Sequence, residues 1–368
     1  MKALNVGIIG CGNILEAYMK GSQIFNQFKI KGCADLYPQK AQEAGDKYGI
    51  KAYNTVEDLL NDKDIELVIN LTVPKAHGEV DKAILNSGKH VFSEKPLGVD
   101  LKEAGEVLEL AEKKGLLVGC APDTFMGGGL QTTIKLIEDG WVGDVFAVKV
   151  NIIGGGPDNW HPNPEFFFQP GAGPLLDIGP YYIHALIAMF GPVKTVEGVS
   201  FIGNDTRYLT SPPERRGDVI KVETPTTNFG IYTFSCGVKC NFSYSFDCYG
   251  GTKGAPIEIY GTEGTLFAAH PLAYEFTASL KLRDQEERVI PNIYPCVDTM
   301  RGLGVADMVC TLESGRMSRV TGELGYHTLD IMMSQYESSE KSMLVEVKST
   351  CEKPKRLPLG LHLGEVDV

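Results

Sequence analysis

The pattern of apolar and polar positions changes near residue 123. Before that point, short apolar runs end in glycine or polar residues and alternate with amphipathic stretches. The runs predict strands at 4–9, 28–34, 65–71, 90–92 and 116–120. The clearest amphipathic stretch predicts a helix at 101–114, with Asp100 as its N-cap and Glu103 as the capping-box partner. Alternating strands and helices indicate βαβ units, so residues 1–123 are predicted to form an α/β Rossmann domain with a parallel sheet.

Residues 124–368 carry strand signals in series, at hairpin-like spacing, with the helical periodicity segregated from them. The predicted helices lie at 130–138, 175–189, 301–314 and 326–340, and the predicted strands at 145–153, 193–202, 219–223, 228–236, 238–246, 257–260 and 265–268. Phe242, Tyr244 and Phe246 alternate with polar residues, which is typical of a sheet with one covered face. This part is therefore predicted to be an α+β domain with a large, mostly antiparallel sheet.

Composition excludes several classes of function. The chain has 368 residues, is 43% hydrophobic and carries a formal net charge of −12, which fits a folded globular protein. A negative charge of this size disfavours nucleic acid or an anionic membrane as partner, because phosphates repel it. No apolar run approaches the roughly 18 residues of a membrane span, and no signal peptide is predicted. Nine scattered cysteines without a CxxC pair predict a cytoplasmic protein and no metal site.

A glycine loop directly after the first strand predicts a dinucleotide site. Its first glycine permits a tight turn, its second lets the backbone approach a pyrophosphate, and Leu15 stands where a third Gly or Ala is usual. Asp35 ends the second strand, where a carboxylate binds the adenosine ribose and repels a 2′-phosphate. The cofactor is therefore predicted to be NAD, with NADP less favoured. The predicted loop contacts are Gly10, Cys11, Gly12, Asn13 and Ile14.

Three further motifs follow the glycine loop along the chain. They are T-V-P-K-A-H at 72–77, G-K-H-V-F-S-E-K-P at 88–96 and G-P-L-L-D-I-G-P-Y at 173–181. Together with the loop they resemble the motifs of the Gfo/Idh/MocA family, named for glucose–fructose oxidoreductase, inositol dehydrogenase and a rhizopine-catabolism enzyme. The resemblance covers nearly the whole chain. It implies NAD-dependent hydride transfer to or from a sugar, sugar derivative or cyclitol, and a homodimer or homotetramer formed through the C-terminal sheet.

The resemblance also implies further cofactor contacts at the carboxyl edge of the first sheet. They are Leu71, Thr72, Pro74, His77, Glu94 and Lys95. Ligands of open α/β sheets bind at this edge, where the Lys95 ammonium can hold the reacting oxygen. Glu94 could orient Lys95 or bind the nicotinamide ribose, and His77 could instead only pack near the cofactor.

Three polar residues at i, i+4 and i+7 are predicted to share one helix face: Asp177, Tyr181 and His184. Tyr181 stands where the family usually has histidine. A tyrosine titrates near ~10, so it needs an adjacent cation to act as a base. Our hypothesis is that Tyr181 exchanges the proton, assisted by Lys95, while Asp177 orients the substrate. His184 is the rival acid/base, because an ordinary histidine pKa near ~6.5 suits neutral pH.

An aromatic, proline-rich loop at 157–168 could bind the faces of a sugar ring. Its candidate substrate contacts are Trp160, His161 and Phe168, although a lid or interface without direct contact explains the composition equally well. Asp123, at the predicted domain junction, is a further substrate candidate. Two other functions stay open: a non-catalytic NAD-binding regulatory or sensor protein, and an enzyme that uses NAD transiently for net non-redox glycoside chemistry.

Overall fold

The first part of the chain is a parallel α/β layer structure. The computed structural model describes residues 3–295 and 301–367. The elements of this part are β1 (Leu4–Ile9), α1 (Leu15–Gly21), β2 (Phe28–Ala34), α2 (Pro38–Tyr48), β3 (Lys51–Ala52), α3 (Val56–Asn61), β4 (Leu67–Asn70), α4 (His77–Asn86), β5 (His90–Ser93), α5 (Leu101–Lys114) and β6 (Val118–Cys120). The strands pair in parallel in the order β3-β2-β1-β4-β5-β6. The order reverses between β1 and β4, where a crevice for a dinucleotide opens in such folds.

The predicted elements of this part are confirmed. β1, β2 and α5 have the predicted bounds, and the other three predicted strands agree within two residues. The Asp100 side chain accepts a hydrogen bond from the Glu103 backbone N–H at 2.9 Å, as an N-cap should. The predicted capping box is not completed: in the described residues the Glu103 carboxylate pairs with Lys82 at 3.5 Å and accepts no hydrogen bond from the Asp100 N–H. β3 has two residues, too few for any period to show in the sequence.

The second part is built on a nine-stranded sheet. Its elements are α6 (Gly128–Glu138), β7 (Val145–Ile153), α7 (Pro174–Asp177), α8 (Gly179–Phe190), β8 (Val193–Phe201), β9 (Thr206–Tyr208), β10 (Val219–Lys221), β11 (Thr227–Phe234), β12 (Lys239–Ser245), β13 (Ile257–Gly261), β14 (Gly264–Phe267), β15 (Ala278–Leu282), β16 (Arg288–Ile290), α9 (Leu303–Ser314), α10 (Gly322–Lys341) and β17 (Val345–Glu346). The strand order is β16-β15-β14-β13-β7-β12-β11-β8-β17, with β9 and β10 forming a separate pair. Among the strands of residues 3–295 and 301–367 that form this part, only β7 and β12 pair in parallel, which confirms a mostly antiparallel sheet.

One face of this sheet is covered, as the alternation at 241–246 predicts. Residues 241–245 of this alternation lie on β12, between β7 and β11 in the sheet. Phe242 and Tyr244 are completely buried, whereas Asn241 is exposed. α10 packs along β8 on the covered side. Strands β9, β15, β16 and β17 were not predicted. The A-S-L-K-L alternation of β15 could have revealed it, but β16 has three residues, of which Arg288 and Val289 are exposed and Ile290 alone packs against the core, too few to show an alternation.

The prediction of one continuous helix at 175–189 is wrong. The segment forms two helices, α7 and α8, which meet at Ile178. Pro180 stands in the first turn of α8, where its missing N–H costs nothing. The missing N–H of Pro180 cannot donate to the Leu176 oxygen, as a continuous helix would require, so the helix restarts here instead of continuing. Asp177 consequently lies on α7, and Tyr181 and His184 lie on α8.

The last two helices return to the first sheet. The Cys120 N–H of β6 donates to the Val320 oxygen at 3.0 Å, just before α10 begins. Near the C-terminus, the Gly364 oxygen accepts a hydrogen bond from the Gln27 side chain at 3.1 Å. One hydrophobic core therefore includes residues from both parts of the chain. The boundary between residues 123 and 124 stays a prediction.

Candidate active site

The glycine loop after β1 leaves room and donors for an anion. Gly10 has a φ of +102°, and a Cβ there would lie 2.6 Å from the Leu71 oxygen, so only glycine fits. A Cβ at Gly12 would meet nothing within 4 Å, so this side of the loop is open. In the described part of the chain, the N–H groups of Gly12, Asn13 and Ile14 have no acceptor. These residues fit a pyrophosphate that approaches the backbone closely.

Asp35 is held at the end of β2 by the backbone. One carboxylate oxygen accepts from the Cys11 N–H at 2.7 Å and the other from the Tyr37 N–H at 2.9 Å. Each oxygen keeps a second acceptor site, because a carboxylate has about four lone-pair positions. The carboxylate is therefore oriented beside the glycine loop and can still accept hydroxyl groups of a ribose.

The motif loop after β4 is supported by two buried side chains that the sequence did not single out. The Asn70 amide donates to Asp81 at 2.7 Å and accepts from the Thr72 N–H at 3.1 Å. Burial raises the pKa of the Asp81 carboxyl to about 6. His77 is 1% exposed, and its ring lies between the oxygens of Pro96, at 2.7 Å, and Thr72, at 3.1 Å. His77 thus ties two loops together, whereas Pro74 is exposed.

Glu94 is buried and its carboxylate is already hydrogen-bonded. One oxygen accepts from the Tyr18 hydroxyl at 2.9 Å and the other from the Lys95 backbone N–H at 3.0 Å. Tyr18 lies on α1, which follows the glycine loop. Glu94 therefore joins α1 to the start of the loop that carries Lys95, and it fixes the backbone rather than the ammonium of Lys95.

Lys95, Asp177 and Tyr181 meet, as predicted from motifs that are more than 80 residues apart in the sequence. The Lys95 ammonium donates to the Asp177 backbone oxygen at 2.6 Å and to its carboxylate at 2.8 Å. The same ammonium lies 5.2 Å from the centre of the Tyr181 ring. Burial by itself lowers the pKa of Lys95, but the charge of Asp177 and then Tyr181 outweigh burial and raise it. The ammonium therefore stays charged.

Arg301, which belongs to none of the motifs, also reaches this site. Its Nη2 donates to the Tyr181 hydroxyl oxygen at 2.9 Å, and Nη1 lies 3.8 Å from the Asp123 carboxylate. Asp123 is completely buried and accepts from the Tyr274 hydroxyl at 2.5 Å and the Gly304 N–H at 2.8 Å. Asp123 therefore supports Arg301 and the start of α9, which corrects the prediction that it contacts the substrate.

The structure argues against His184 as the rival acid/base. The side chain is 1% exposed, and Nδ1 lies 3.1 Å from the Pro122 oxygen. Among the described residues, none forms a hydrogen bond with Nε2. Burial lowers the pKa of the His184 ring to about 4, so the ring is neutral near pH 7 and out of reach of a substrate. The sequence assigned it an ordinary pKa because burial cannot be read from spacing alone.

The aromatic loop is ordered, and its members are placed differently. Phe168 is completely buried in a small core with Phe246, which corrects its prediction as a substrate contact. Trp160 is 63% exposed and stands edge-on to His161, with the ring centres 5.4 Å apart. The buried ion pair of Asp158 with Arg207, at 2.7 Å, anchors the loop. Trp160 and His161 are thus the predicted contacts that keep accessible surface.

Metal-ligand clusters and membrane-spanning helices are both absent from the described residues. Within residues 3–295 and 301–367, no three His, Cys, Asp or Glu side chains lie close enough to hold a metal ion. In the same residues, every helix is too short or too polar to cross a membrane.

A doubly wound sheet with a glycine loop, an acidic residue after β2 and a Lys–Asp–Tyr group at the carboxyl edge defines a dinucleotide-binding oxidoreductase. Comparison with protein families agrees. Residues 4–121 match the GFO/IDH/MocA "Oxidoreductase family, NAD-binding Rossmann fold", and residues 130–267 match the "GFO/IDH/MocA C-terminal domain". The chain belongs to the GFO/IDH/MocA oxidoreductase family, as the motifs predict, and carries its NAD-binding domain.

Individual relatives are more distant. An uncharacterised oxidoreductase of Schizosaccharomyces pombe is 33% identical over 179 residues, and the match spans 46% of this chain and about half, 47%, of the relative. Inositol 2-dehydrogenase/D-chiro-inositol 3-dehydrogenase of Lactiplantibacillus plantarum is 33% identical over 274 residues, 71% of this chain and 70% of the relative. The structure of levoglucosan dehydrogenase with NADH and levoglucosan has a TM-score of 0.78 at 21% identity, over 94% of this chain and 99% of that one. This likeness shows a shared fold.

Proposed function

We propose that this protein is an NAD-dependent dehydrogenase acting on a CH–OH group of a sugar, sugar derivative or cyclitol. The proposal rests on the position of the Lys95 ammonium. It lies 2.8 Å from the Asp177 carboxylate and next to Tyr181, at the carboxyl edge of the parallel sheet β3-β2-β1-β4-β5-β6. A cation, a carboxylate and a hydroxyl at this edge suit the binding and deprotonation of a carbinol. The Lys95 and Asp177 side chains are 15% and 32% exposed, so the pair is accessible from the site.

The residues divide the work of carbinol oxidation as follows. Bound NAD supplies the hydride acceptor at its nicotinamide ring. The Lys95 ammonium donates two of its three protons in hydrogen bonds to Asp177, so one N–H is left to hold the reacting oxygen. Tyr181 takes the hydroxyl proton while the carbinol hydride leaves and the carbonyl forms. Asp177, whose second carboxylate oxygen makes no bond to Lys95, orients a neighbouring substrate hydroxyl.

NAD is proposed over NADP because of Asp35. Its oriented carboxylate accepts ribose hydroxyls but repels a 2′-phosphate. The adjacent Leu36 is uncharged and 83% exposed, so it offers no counter-charge to that phosphate. Replacing Asp35 with Ser is expected to raise KM for NAD about tenfold and to lower it for NADP, with steady-state kinetics as the measurement.

The substrate class rests on the relatives and on the rim of the site. Inositol 2-dehydrogenase and levoglucosan dehydrogenase are both named for ring polyols. Trp160 and His161 pack against the Phe167 ring, and the Phe167 backbone oxygen accepts from the Gly173 N–H at 3.0 Å just before α7. Their aromatic surface suits the apolar face of a sugar ring. We propose these two residues as substrate contacts.

The uncovered face of the nine-stranded sheet is proposed as the interface of a homodimer or homotetramer. On this face Val199, Phe201, Phe229 and Ile231 are between 38% and 52% exposed and lie on the adjacent strands β8 and β11. Phe201 and Phe229 contact each other with ring centres 6.0 Å apart. Apolar side chains grouped in this way are commonly covered by a partner.

The test is NAD reduction, measured separately with NAD and NADP, on myo-inositol, levoglucosan, aldoses and uronates. Turnover of one class by the wild type, reduced at least about 10²-fold in Lys95→Met, is expected. Lys113→Met is the matched control, because Lys113 is 74% exposed on α5. NAD binding without any turnover would favour a sensor or transient cofactor use instead. Failure to bind NAD in a thermal-shift assay would refute the proposal.

A further inference from the structure

We propose that Arg301 is the positioning residue for the acid/base: its guanidinium stabilises the negative charge of the Tyr181 phenolate oxygen that accepts the substrate proton. The inference rests on the proposed function, in which Tyr181 exchanges the substrate proton. Arg301 is thereby given the role that was predicted for Lys95, namely that of the cation that assists Tyr181. Arg301 lies 120 residues after Tyr181 and outside all four motifs.

The contacts distinguish the two cations. Arg301 Nη2 donates directly to the Tyr181 hydroxyl oxygen at 2.9 Å. The Lys95 ammonium instead donates twice to Asp177 and faces the Tyr181 ring at 5.2 Å. The guanidinium carbon of Arg301 lies 5.4 Å from the same ring centre. Both cations therefore favour negative charge on Tyr181, but only the arginine has a hydrogen bond to the oxygen on which that charge resides.

The arginine is held in place from two sides. Asp123, fixed by the Tyr274 hydroxyl and the Gly304 N–H, lies 3.8 Å from Nη1. On the other side the backbone of Arg301 packs on Gly21 at the end of α1, where a Cβ would lie 1.7 Å from the Arg301 oxygen. Arg301 is 8% exposed, so its guanidinium is largely shielded from water, which strengthens its hydrogen bond to Tyr181. This is a preorganised contact and not a loose surface pairing.

The chemistry explains why a tyrosine at this position needs such a contact. In the oxidation direction the substrate O–H proton moves to the phenolate oxygen of Tyr181, and the hydride on the same carbon moves to the nicotinamide. The phenolate present before this step carries a full negative charge, which an imidazole base would not carry. A guanidinium stays protonated throughout, so it stabilises the phenolate without exchanging a proton itself. The hydroxyl oxygen keeps further acceptor positions for the substrate proton.

The experiment compares wild type, Arg301→Met and Arg301→Lys in kcat against pH, using whichever of myo-inositol and levoglucosan the wild type oxidises. Arg301→Met is expected to lower kcat about 10- to 100-fold at neutral pH and to shift the rising limb upward by about one to two pH units. KM for NAD should change less than about threefold, and Arg301→Lys should recover part of the shift. Arg288→Met is the control, because Arg288 is exposed on β16. A kcat that falls equally at every pH would overturn the proposal.

A second readout needs no turnover. The phenolate absorbance of Tyr181, taken as the difference between wild type and Tyr181→Phe, is titrated with and without Arg301→Met. The absorbance should develop at higher pH in the Arg301→Met background, and an unchanged titration would contradict the inference. If no probe is oxidised but the titration shifts, the proposed function fails while the role of Arg301 stands. If Arg301→Met does not fold, the same two measurements on Arg301→Lys decide, with a smaller upward shift expected.

Discussion

Acidification is predicted to destabilise the native protein through His184. The ring is 1% exposed and burial lowers its pKa from 6.5 to about 4. Below pH 6.5 the unfolded chain binds a proton that the native ring refuses, so the free energy of unfolding falls until the native ring also titrates near pH 4. The two values differ by about 2.5 units, which at about 1.4 kcal/mol per unit corresponds to a loss of about 3 kcal/mol.

The assay is reversible urea unfolding, followed by circular dichroism, of wild type and His184→Gln between pH 7 and pH 4. Glutamine is close to the imidazole ring in size but does not titrate, so the loss of the Nδ1 hydrogen bond to the Pro122 oxygen changes the stability equally at every pH. The comparison isolates His184 from other buried groups: His327, with a pKa lowered to about 4, acts in the same direction, and Asp81, with a pKa raised to about 6, acts oppositely. The wild type should lose about 3 kcal/mol more than the variant. Parallel pH dependences would refute the reasoning.

The same variant tests the catalytic assignment. A buried, neutral His184 that does not touch the substrate should leave kcat within about threefold of wild type when replaced by glutamine. Loss of an acid/base typically lowers the rate 10²- to 10⁴-fold. A loss of that size, with unchanged NAD binding and melting temperature, would restore His184 as the acid/base and remove the case for Tyr181.

Three further predictions follow from single contacts. Gly21→Ala should lower both kcat, at least about tenfold, and the melting temperature, because the added methyl group would lie 1.7 Å from the Arg301 oxygen. Steady-state kinetics and calorimetry measure these two effects, and an unaffected kcat would contradict the prediction. Asp100→Ala should cost about 1 kcal/mol in urea unfolding through the lost cap of α5, and no change would show that the cap contributes nothing. Phe229→Arg should convert the proposed oligomer to monomer in light scattering, whereas Val289→Arg, at a 68% exposed position, should not; equal masses for both would refute the interface.

Local sequence determined much of the fold. The bounds of β1 and β2 follow from short-range periodicity. The start of α5 follows from the Asp100 cap, whose hydrogen bond joins residues three positions apart. The glycine loop and Asp35 could likewise be predicted, because the turn conformation and the strand end are properties of neighbouring residues. The helix break at Ile178 was also readable, since Pro180 stands two residues later, but the strong apolar pattern of 175–189 obscured it.

Tertiary structure alone decided how the site is assembled. Asp123 and Phe168 were predicted to contact the substrate, and His184 to be the rival acid/base. Packing from distant segments buries all three. Arg301 went unnoticed, because its hydrogen bond to Tyr181 spans 120 residues and leaves no periodic trace. A period in the sequence reports which side of an element is apolar. The polar groups that meet there, and the pKa values that follow from their burial and neighbours, depend on the positions of all surrounding charges in space.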